Sequence, residues 1–429
     1  MRIGVIGVGH IGSVIAAELA HRGNSVIGID LDSAKVQMIN QGQPPVTEPG
    51  LPELIKGVVE QGLLKATTDF SQLNGCELIL ITVGTPIING KADLSALISA
   101  SESIAQNVKS SAIVVVKSTV PPGTTRNVIA QILSSDNFSV GFVPERLAEG
   151  QAISEFRNLP MVVGGVDRDA SDKIVKIWGF LGFEVIKVVD STAAEMVKLA
   201  DNAWIDLNIA FGHELAQICD AINTDVLEVI RAANTLKKGS SFVNILIPSV
   251  GVGGYCLTKD PYFLNDFAKS VGVKVKLSVE GRKVNENSPR YLLDRLSERR
   301  SLTPEVKILA LGIAFKNNSG DIRFSPAVDF VRSIMELGLD ISWYDPLVLE
   351  RDVPQDLSPK RIFDLDEAEY DVIACLANHE ENTDLNVRQI VELLSMDGLI
   401  IDGRRFFSQD EISYFLSTGR DYLGIGRGY

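Results

Sequence analysis

Arg2-Ile3-Gly4-Val5-Ile6-Gly7-Val8-Gly9-His10-Ile11-Gly12-Ser13 opens a chain of 429 residues and carries its strongest structural signal. A short apolar run, Arg2 to Gly7, leads into Gly7-x-Gly9-x-x-Gly12 and then a helical pattern from Ser13 to Arg22. The first glycine permits a tight strand-to-helix turn, the second lets a pyrophosphate approach the backbone, and the third allows close helix packing. A second β-type run, Ser25 to Asp30, closes the unit on a carboxylate that can bind ribose hydroxyls. With an acid there and no arginine beside it, NAD is favoured over NADP, whose 2′-phosphate would meet the Asp30 charge.

Working outward, strand-like runs follow at Glu77–Val83, Ile113–Lys117, Ser139–Val143 and Met161–Gly164, separated by helices such as Asp93–Val108. Strand alternating with helix predicts a parallel, doubly wound sheet. At Thr192 the period changes, and Thr192-x-x-Glu195 reads as a capping box opening an amphipathic helix that runs to about Ile222. A second helix, Asp225–Ala233, follows. After Pro304 the opening grammar returns: strand Val306–Gly312, helix Ser325–Leu337, strand Asp340–Tyr344 ending at Asp345, and later strands at Asp371–Leu376 and Gly398–Asp402. The expectation is an α/β protein of two doubly wound, Rossmann-like sheet domains joined by a long central helical segment, with boundaries at residues 1–191, 192–300 and 301–429. A ligand cleft between the sheet domains and a homodimer through the apolar central helix are expected with it.

Composition narrows the partners. Lys plus Arg number 41 against 55 Asp plus Glu, a net charge of −14, which argues against a nucleic-acid backbone as the main partner. Local cations can still bind a small anion. Four cysteines, at 76, 219, 256 and 375, are too few and scattered for a disulfide framework or a zinc cluster, so no metal is expected and a reducing, cytoplasmic setting is. Glycines 4, 7, 9 and 12 break the first apolar run, unlike a secretory signal. No stretch approaches the ~18 consecutive apolar residues of a membrane span.

The segment Gly251-Val252-Gly253-Gly254-Tyr255-Cys256-Leu257-Thr258-Lys259-Asp260 is the most informative about chemistry. Three glycines ahead of a cysteine let backbone amides crowd round a thiolate or an oxyanion, and Lys259 would favour the thiolate. A buried structural cysteine after a glycine-rich turn is the equal alternative. Lys198 and Asn202 lie four apart on one helical face, and Pro144-Glu145 follows a strand at the sheet edge where ligands sit in such folds.

Together these pieces resemble the nucleotide-sugar 6-dehydrogenase family, which includes UDP-glucose, GDP-mannose and UDP-N-acetylmannosamine dehydrogenases. The resemblance spans the chain. It is carried by the glycine motif, Val83-Gly84-Thr85-Pro86, Ser118-Thr119-Val120-Pro121, Pro144-Glu145, Lys198 with Asn202, the cysteine segment, Phe315-Lys316 with Gly320-Asp321-x-Arg323, and Asp402-Gly403-Arg404-Arg405. It implies oxidation of a primary alcohol to a carboxylate with two NAD per turnover, as in polysaccharide-precursor synthesis. Cys256 would capture the aldehyde and carry a thioester, Glu145 would serve as base in its hydrolysis, and Lys198, Asn202, Asp260 and Thr119 would handle protons and oxyanions. Gly7, Gly9, His10, Ile11, Gly12, Asp30, Thr85, Thr119 and Arg323 would hold the cofactor. Glu145, Arg146, Leu147, Ala148, Lys198, Asn202, Gly253, Lys316 and Arg404 would hold the nucleotide sugar.

Two features depart from any single member. Pro144-Glu145-Arg146 and Pro261 resemble the N-acetylhexosamine enzymes, whereas Leu147-Ala148-Glu149-Gly150 and Lys259-Asp260 resemble the UDP-glucose enzymes. Many relatives also carry an arginine upstream of the glycine-rich loop where residues 234–244 here offer only Lys237 and Lys238. A two-electron hydroxyacid dehydrogenase of similar fold and a non-catalytic NAD-binding regulatory protein stand as alternatives.

Overall fold

The computed structural model describes residues 1–88, 91–134, 137–365, 369–379 and 385–427. The chain forms two compact units, residues 1–201 with 266–273, and residues 202–265 with 274–429.

The first unit holds an eight-stranded sheet built from β1 (Arg2–Ile6), β2 (Ser25–Ile29), β3 (Leu64–Thr67), β4 (Leu78–Ile81), β5 (Ala112–Val116), β6 (Phe138–Phe142), β7 (Met161–Gly165) and β8 (Val185–Lys187). Its order is 8-7-6-5-4-1-2-3, so the 3-2-1-4-5-6 core of a dinucleotide-binding fold is present with two strands added at one edge. Ile3 and Val5 face one buried layer, Ile6, Ile29 and Ile81 the other. Burial on both faces is what strands as uniformly apolar as Leu78-Ile79-Leu80-Ile81 require.

One expectation is corrected here. The sheet is parallel except where β7 runs antiparallel to β6, with Gly141 opposite Gly165. The connection between them, residues 143–160 with the helix Ala152–Asn158, packs against the helix His10–His21 and re-enters the sheet from the end where β6 left it. Without a crossover, the next strand must run backwards. Sequence reading also passed over β3 and β8, short, partly exposed strands at the edges of the sheet.

The helix Ser191–Ala221 carries the chain from the first unit into the second. Its expected capping box does not form. Asp190 accepts from the Ala193 amide instead, and Glu195, fully buried, turns to accept from the amides of Gly123 and Thr125. Those two donors stand at the head of a wide helical turn, Thr125–Ile129, and buried backbone donors need an acceptor more than a surface cap does.

The second unit contains the helices Val226–Ala233 and Leu277–Arg299 and a parallel sheet of β9 (Lys307–Leu311), β10 (Asp340–Tyr344), β11 (Tyr370–Cys375), β12 (Leu394–Asp402) and β13 (Asp421–Gly424). The spatial order β10-β9-β11-β12-β13 is a doubly wound 2-1-3-4-5 arrangement whose strand order reverses between β9 and β11. Helix Pro326–Glu336 starts with Ser325 accepting from the Ala327 amide and proline at its first position, which fixes where β9 hands over to helix.

Candidate active site in two half-sites

In the first unit the glycine loop sits at the carboxyl end of β1. Gly7 has φ +90°, a conformation that favours glycine, and its amide donates to Ile29 at 2.7 Å. A Cβ on Gly12 would stand 1.8 Å from the Gly7 carbonyl oxygen, whereas one on Gly9 would meet nothing within 4 Å. Gly9 is itself the cap residue of the helix His10–His21, whose first turn carries no acid and whose cap position makes no side-chain bond. An uncapped helix N-terminus beside open space suits a diphosphate. Asp30 accepts from the amides of Val8 at 3.0 Å and Asp32 at 3.0 Å, so the carboxylate also fixes the loop. His10 Nε2 donates to buried Glu48 at 2.9 Å, which also accepts from Gly150 and Ala152 at 2.8 Å each. The loops after β4 and β5 are stitched together: Thr85 Oγ1 donates to the Thr119 carbonyl at 2.6 Å, and Ser118 Oγ to Val83 at 2.7 Å.

Glu145 follows β6. Its Oε1 accepts from the Leu147 amide at 2.7 Å, and its Oε2 lies 3.6 Å from the Nζ of Lys117. Burial pulls the Lys117 pKa below the ordinary lysine range, with Glu145 opposing and Lys198 adding to the shift. Lys198 is itself buried. Arg146 turns to Asp201 at 3.1 Å and the Pro160 carbonyl at 3.4 Å. The Ala148 amide donates to Glu155 at 2.6 Å, so the Leu147 and Ala148 amides are both occupied by carboxylates, and the Ala148 carbonyl accepts from the Gln151 amide at 3.0 Å.

In the second unit, Cys256 is the one exposed cysteine, while Cys76, Cys219 and Cys375 are buried. It lies just ahead of the helix Asp260–Ser270, and its carbonyl accepts from the amides of Lys259 and Asp260. Asp260, fully buried, accepts from Asn202 Nδ2 and pairs with Lys259 at 3.4 Å. The glycines before the cysteine are required by packing. A Cβ on Gly253 would stand 2.6 Å from Phe315 Cβ and from the Phe324 carbonyl, and one on Gly254 would stand 2.7 Å from the Phe315 ring. The amides of Val250 and Gly254 already donate to Gly403 and Arg323.

Several residues in this half escaped the sequence. His213 Nε2 accepts from the Ser249 amide at 3.1 Å, and its Nδ1 meets Asn285 Oδ1 at 2.9 Å. The amide fixes the neutral tautomer, and burial pushes the ring's pKa down to about 4. Asn285 passes the chain to Asp206, which pairs with Arg282, and Arg282 reaches the Leu257 carbonyl at 3.4 Å. A buried polar network thus holds both ends of the cysteine loop. Nothing local in the sequence marks it, because His213 is one of many polar residues along the helix Ser191–Ala221.

Arg404 stands after β12 and donates to the carbonyls of Leu376 at 3.0 Å and of Phe315, with its pKa pushed down to about 10 by burial. A guanidinium dehydrated among carbonyls favours an incoming anion. Lys316 is half-buried on the loop after β9, and Arg323 pairs with Asp321 at 3.0 Å while lying over the Tyr255 ring.

Three models of the UDP-glucose/GDP-mannose dehydrogenase family match in chain order: the NAD binding domain over residues 1–181, the central domain over 192–287 and the UDP binding domain over 309–409. The chain belongs to this family. It is 32% identical to the UDP-N-acetyl-D-mannosamine dehydrogenase of Pyrococcus horikoshii, covering all of both chains. It is equally 32% identical to the UDP-glucose 6-dehydrogenase of Bacillus subtilis, covering 99% of this chain and 93% of that one. The solved structure of the Pyrococcus enzyme superposes with a TM-score of 0.86 at 31% identity over 100% of both chains. A UDP-glucose dehydrogenase from Pyrobaculum islandicum gives 0.87 at 27% identity, over 99% of this chain and 97% of that one. The protein is an NAD-dependent nucleotide-sugar dehydrogenase, and no helix among the described residues is long and apolar enough to cross a membrane.

Proposed function

We propose that this family member oxidises the C6 hydroxymethyl of a UDP-hexose or UDP-N-acetylhexosamine to the uronate through a covalent Cys256 intermediate. The observation that carries the reading is the exposed Cys256 thiol one turn ahead of buried Asp260, which is held by Asn202 and Lys259. NAD, when bound at the Gly7–Gly12 loop and Asp30 with Thr85, Thr119 and Arg323 contributing, supplies the hydride acceptor for each of the two oxidations.

A water held by Lys198, Asn202 and Asp260, or the Asp260 carboxylate itself, takes the hydroxyl proton. The Cys256 thiolate then adds to the aldehyde carbon, and Lys198 and Thr119 stabilise the oxygen anion that forms. After the second oxidation that carbon is a thioester. Water adds to it, its proton passes to Glu145, the C–S bond breaks and the uronate leaves with the Cys256 thiolate restored. Arg146, Leu147, Ala148, Gly253, Lys316 and Arg404 hold the sugar and nucleotide. Functionally the chain divides into a cofactor domain at 1–191, a central segment at 192–300 and a nucleotide-sugar domain at 301–429.

A second copy of this chain is the expected partner. Trp204, Phe211 and Ile218 stand exposed at seven-residue spacing along the long helix, with Ile222 one turn on, a self-complementary stripe suited to a twofold pairing. With its thiol nucleophile reduced, the protein would work in the cytoplasm.

A panel of UDP-glucose, UDP-N-acetylglucosamine, UDP-N-acetylmannosamine and UDP-N-acetylgalactosamine with NAD tests the reading. The expected result is two NADH per sugar consumed, and with Cys256→Ala at most the first oxidation survives. One NADH per sugar, with Cys256→Ala fully active, would return the protein to two-electron chemistry. Light scattering should give twice the chain mass.

A further inference from the structure

Lys117 closes β5 after Ala112-Ile113-Val114-Val115-Val116, and it is only 2% exposed. An ammonium taken that far from water costs several kcal/mol unless nearby groups compensate it. Two of its partners lie on the segment that carries Glu145. Nζ donates to the Val143 carbonyl at 3.3 Å and lies 3.6 Å from Glu145 Oε2, with the Trp178 ring centroid 5.6 Å away. The two oxygens of Glu145 are therefore held differently. Oε1 is fixed by the Leu147 amide, whereas Oε2 is buried and makes no hydrogen bond among the described residues. At 3.6 Å the cation attracts Oε2 without occupying its lone pair, which stays available to accept a proton. Lys198, on the long helix, is the second cation acting at this place.

We propose that Lys117 is a positioning residue for Glu145, anchoring the carboxylate so that Oε2 faces the water that hydrolyses the thioester. This rests on the reading of Glu145 as the base of that step. In the step, a C–O bond forms from water, a proton passes from that water to Oε2, the C–S bond breaks, and no redox change occurs.

The test compares Lys117→Met, Lys117→Gln, Lys117→Arg and Glu145→Gln in the full-length enzyme with NAD and the best nucleotide sugar of the panel. Steady-state rates are read together with intact mass during turnover. Lys117→Met and Lys117→Gln should lower kcat about 10- to 100-fold with KM within about twofold, and a sugar adduct on the protein should accumulate. Lys117→Arg should recover most of the rate, and Lys117→Met added to Glu145→Gln should cost little more than Glu145→Gln alone. Wild-type rates without adduct in Lys117→Gln overturn the proposal. So does equal loss in all three Lys117 variants, Arg included, because that marks a merely structural lysine. Should Lys117→Met fail to fold, the Gln and Arg pair decides alone. Glu145→Gln turning over without adduct overturns the reading of Glu145 itself, separately from the role of Lys117.

Discussion

Glu48 and His10 lie 38 positions apart in sequence and meet at 2.9 Å, His10 Nε2 donating to a carboxylate that also receives the amides of Gly150 and Ala152. One buried side chain therefore ties the first turn after the cofactor glycines to the segment that begins at Glu145. Glu48→Ala should leave two amides short of an acceptor and cost about 2–4 kcal/mol. It should raise KM for NAD more than Glu48→Gln, which keeps an oxygen in place; urea unfolding and NAD titration read the two effects.

The same contact makes a pH prediction. Burial raises the Glu48 pKa, but the His10 bond and the two amides together outweigh it and hold the group below its ordinary 4.5. A carboxyl with a depressed folded pKa stabilises fully above the unfolded value and loses that contribution as pH falls through the folded one. The stability gap between wild type and Glu48→Gln should be constant above about pH 6 and shrink below 4.5, and denaturant midpoints from pH 3 to 7 check it.

Gly12→Ala would place a methyl 1.8 Å from the Gly7 carbonyl oxygen. The helix His10–His21 must then shift away from β1, at a cost of about 1–3 kcal/mol or more. NAD affinity by calorimetry should fall more than tenfold. Unchanged affinity would mean that this helix start does not hold the diphosphate.

Arg282→Leu should be severe, because it leaves the buried Asp206 carboxylate without its cation. A loss of about 3–5 kcal/mol is expected. The cysteine loop loses one of its two ties as well, so alkylation of Cys256 by iodoacetamide should change in rate while the protein is still folded. Asn285→Leu should act in the same direction, since it uncouples His213 from Asp206.

Arg404→Leu separates stability from binding. Its guanidinium is dehydrated, with its pKa brought down to about 10 by burial, so removing the charge should leave the melting temperature of the ligand-free protein unchanged or raised. The nucleotide-sugar KM should rise at least tenfold through loss of charge-assisted bonds to phosphate. Paired thermal melts with and without UDP measure both at once.

The sequence singles out the glycine turn, Asp30, Glu145, Lys198, Asn202 and Cys256 as candidates, because each belongs to a local pattern with a chemical reason behind its spacing. It misread Glu195, which as a helix residue three after Thr192 looks like a cap and in fact serves the backbone of residues 123–125, some 70 positions earlier. The packing demand on Gly253 and Gly254 was hidden from it, because the Phe315 side chain that fills their space is nowhere near in sequence. Lys117 was passed over as the end of a strand, although a lysine closing an otherwise apolar buried run already asks where its charge goes.

Whatever propagates locally is legible in the residues alone: a period of two or 3.6, a turn that only glycine allows, a carboxylate at a strand end. Those features gave two doubly wound sheets and a cofactor site. Which buried polar groups answer one another emerges only in three dimensions: Lys117 with Glu145, Glu48 with His10, His213 with Ser249. Each such group was chosen by burial, since a donor, acceptor or charge removed from water takes the partner that folding brings near, and sequence distance does not enter that choice.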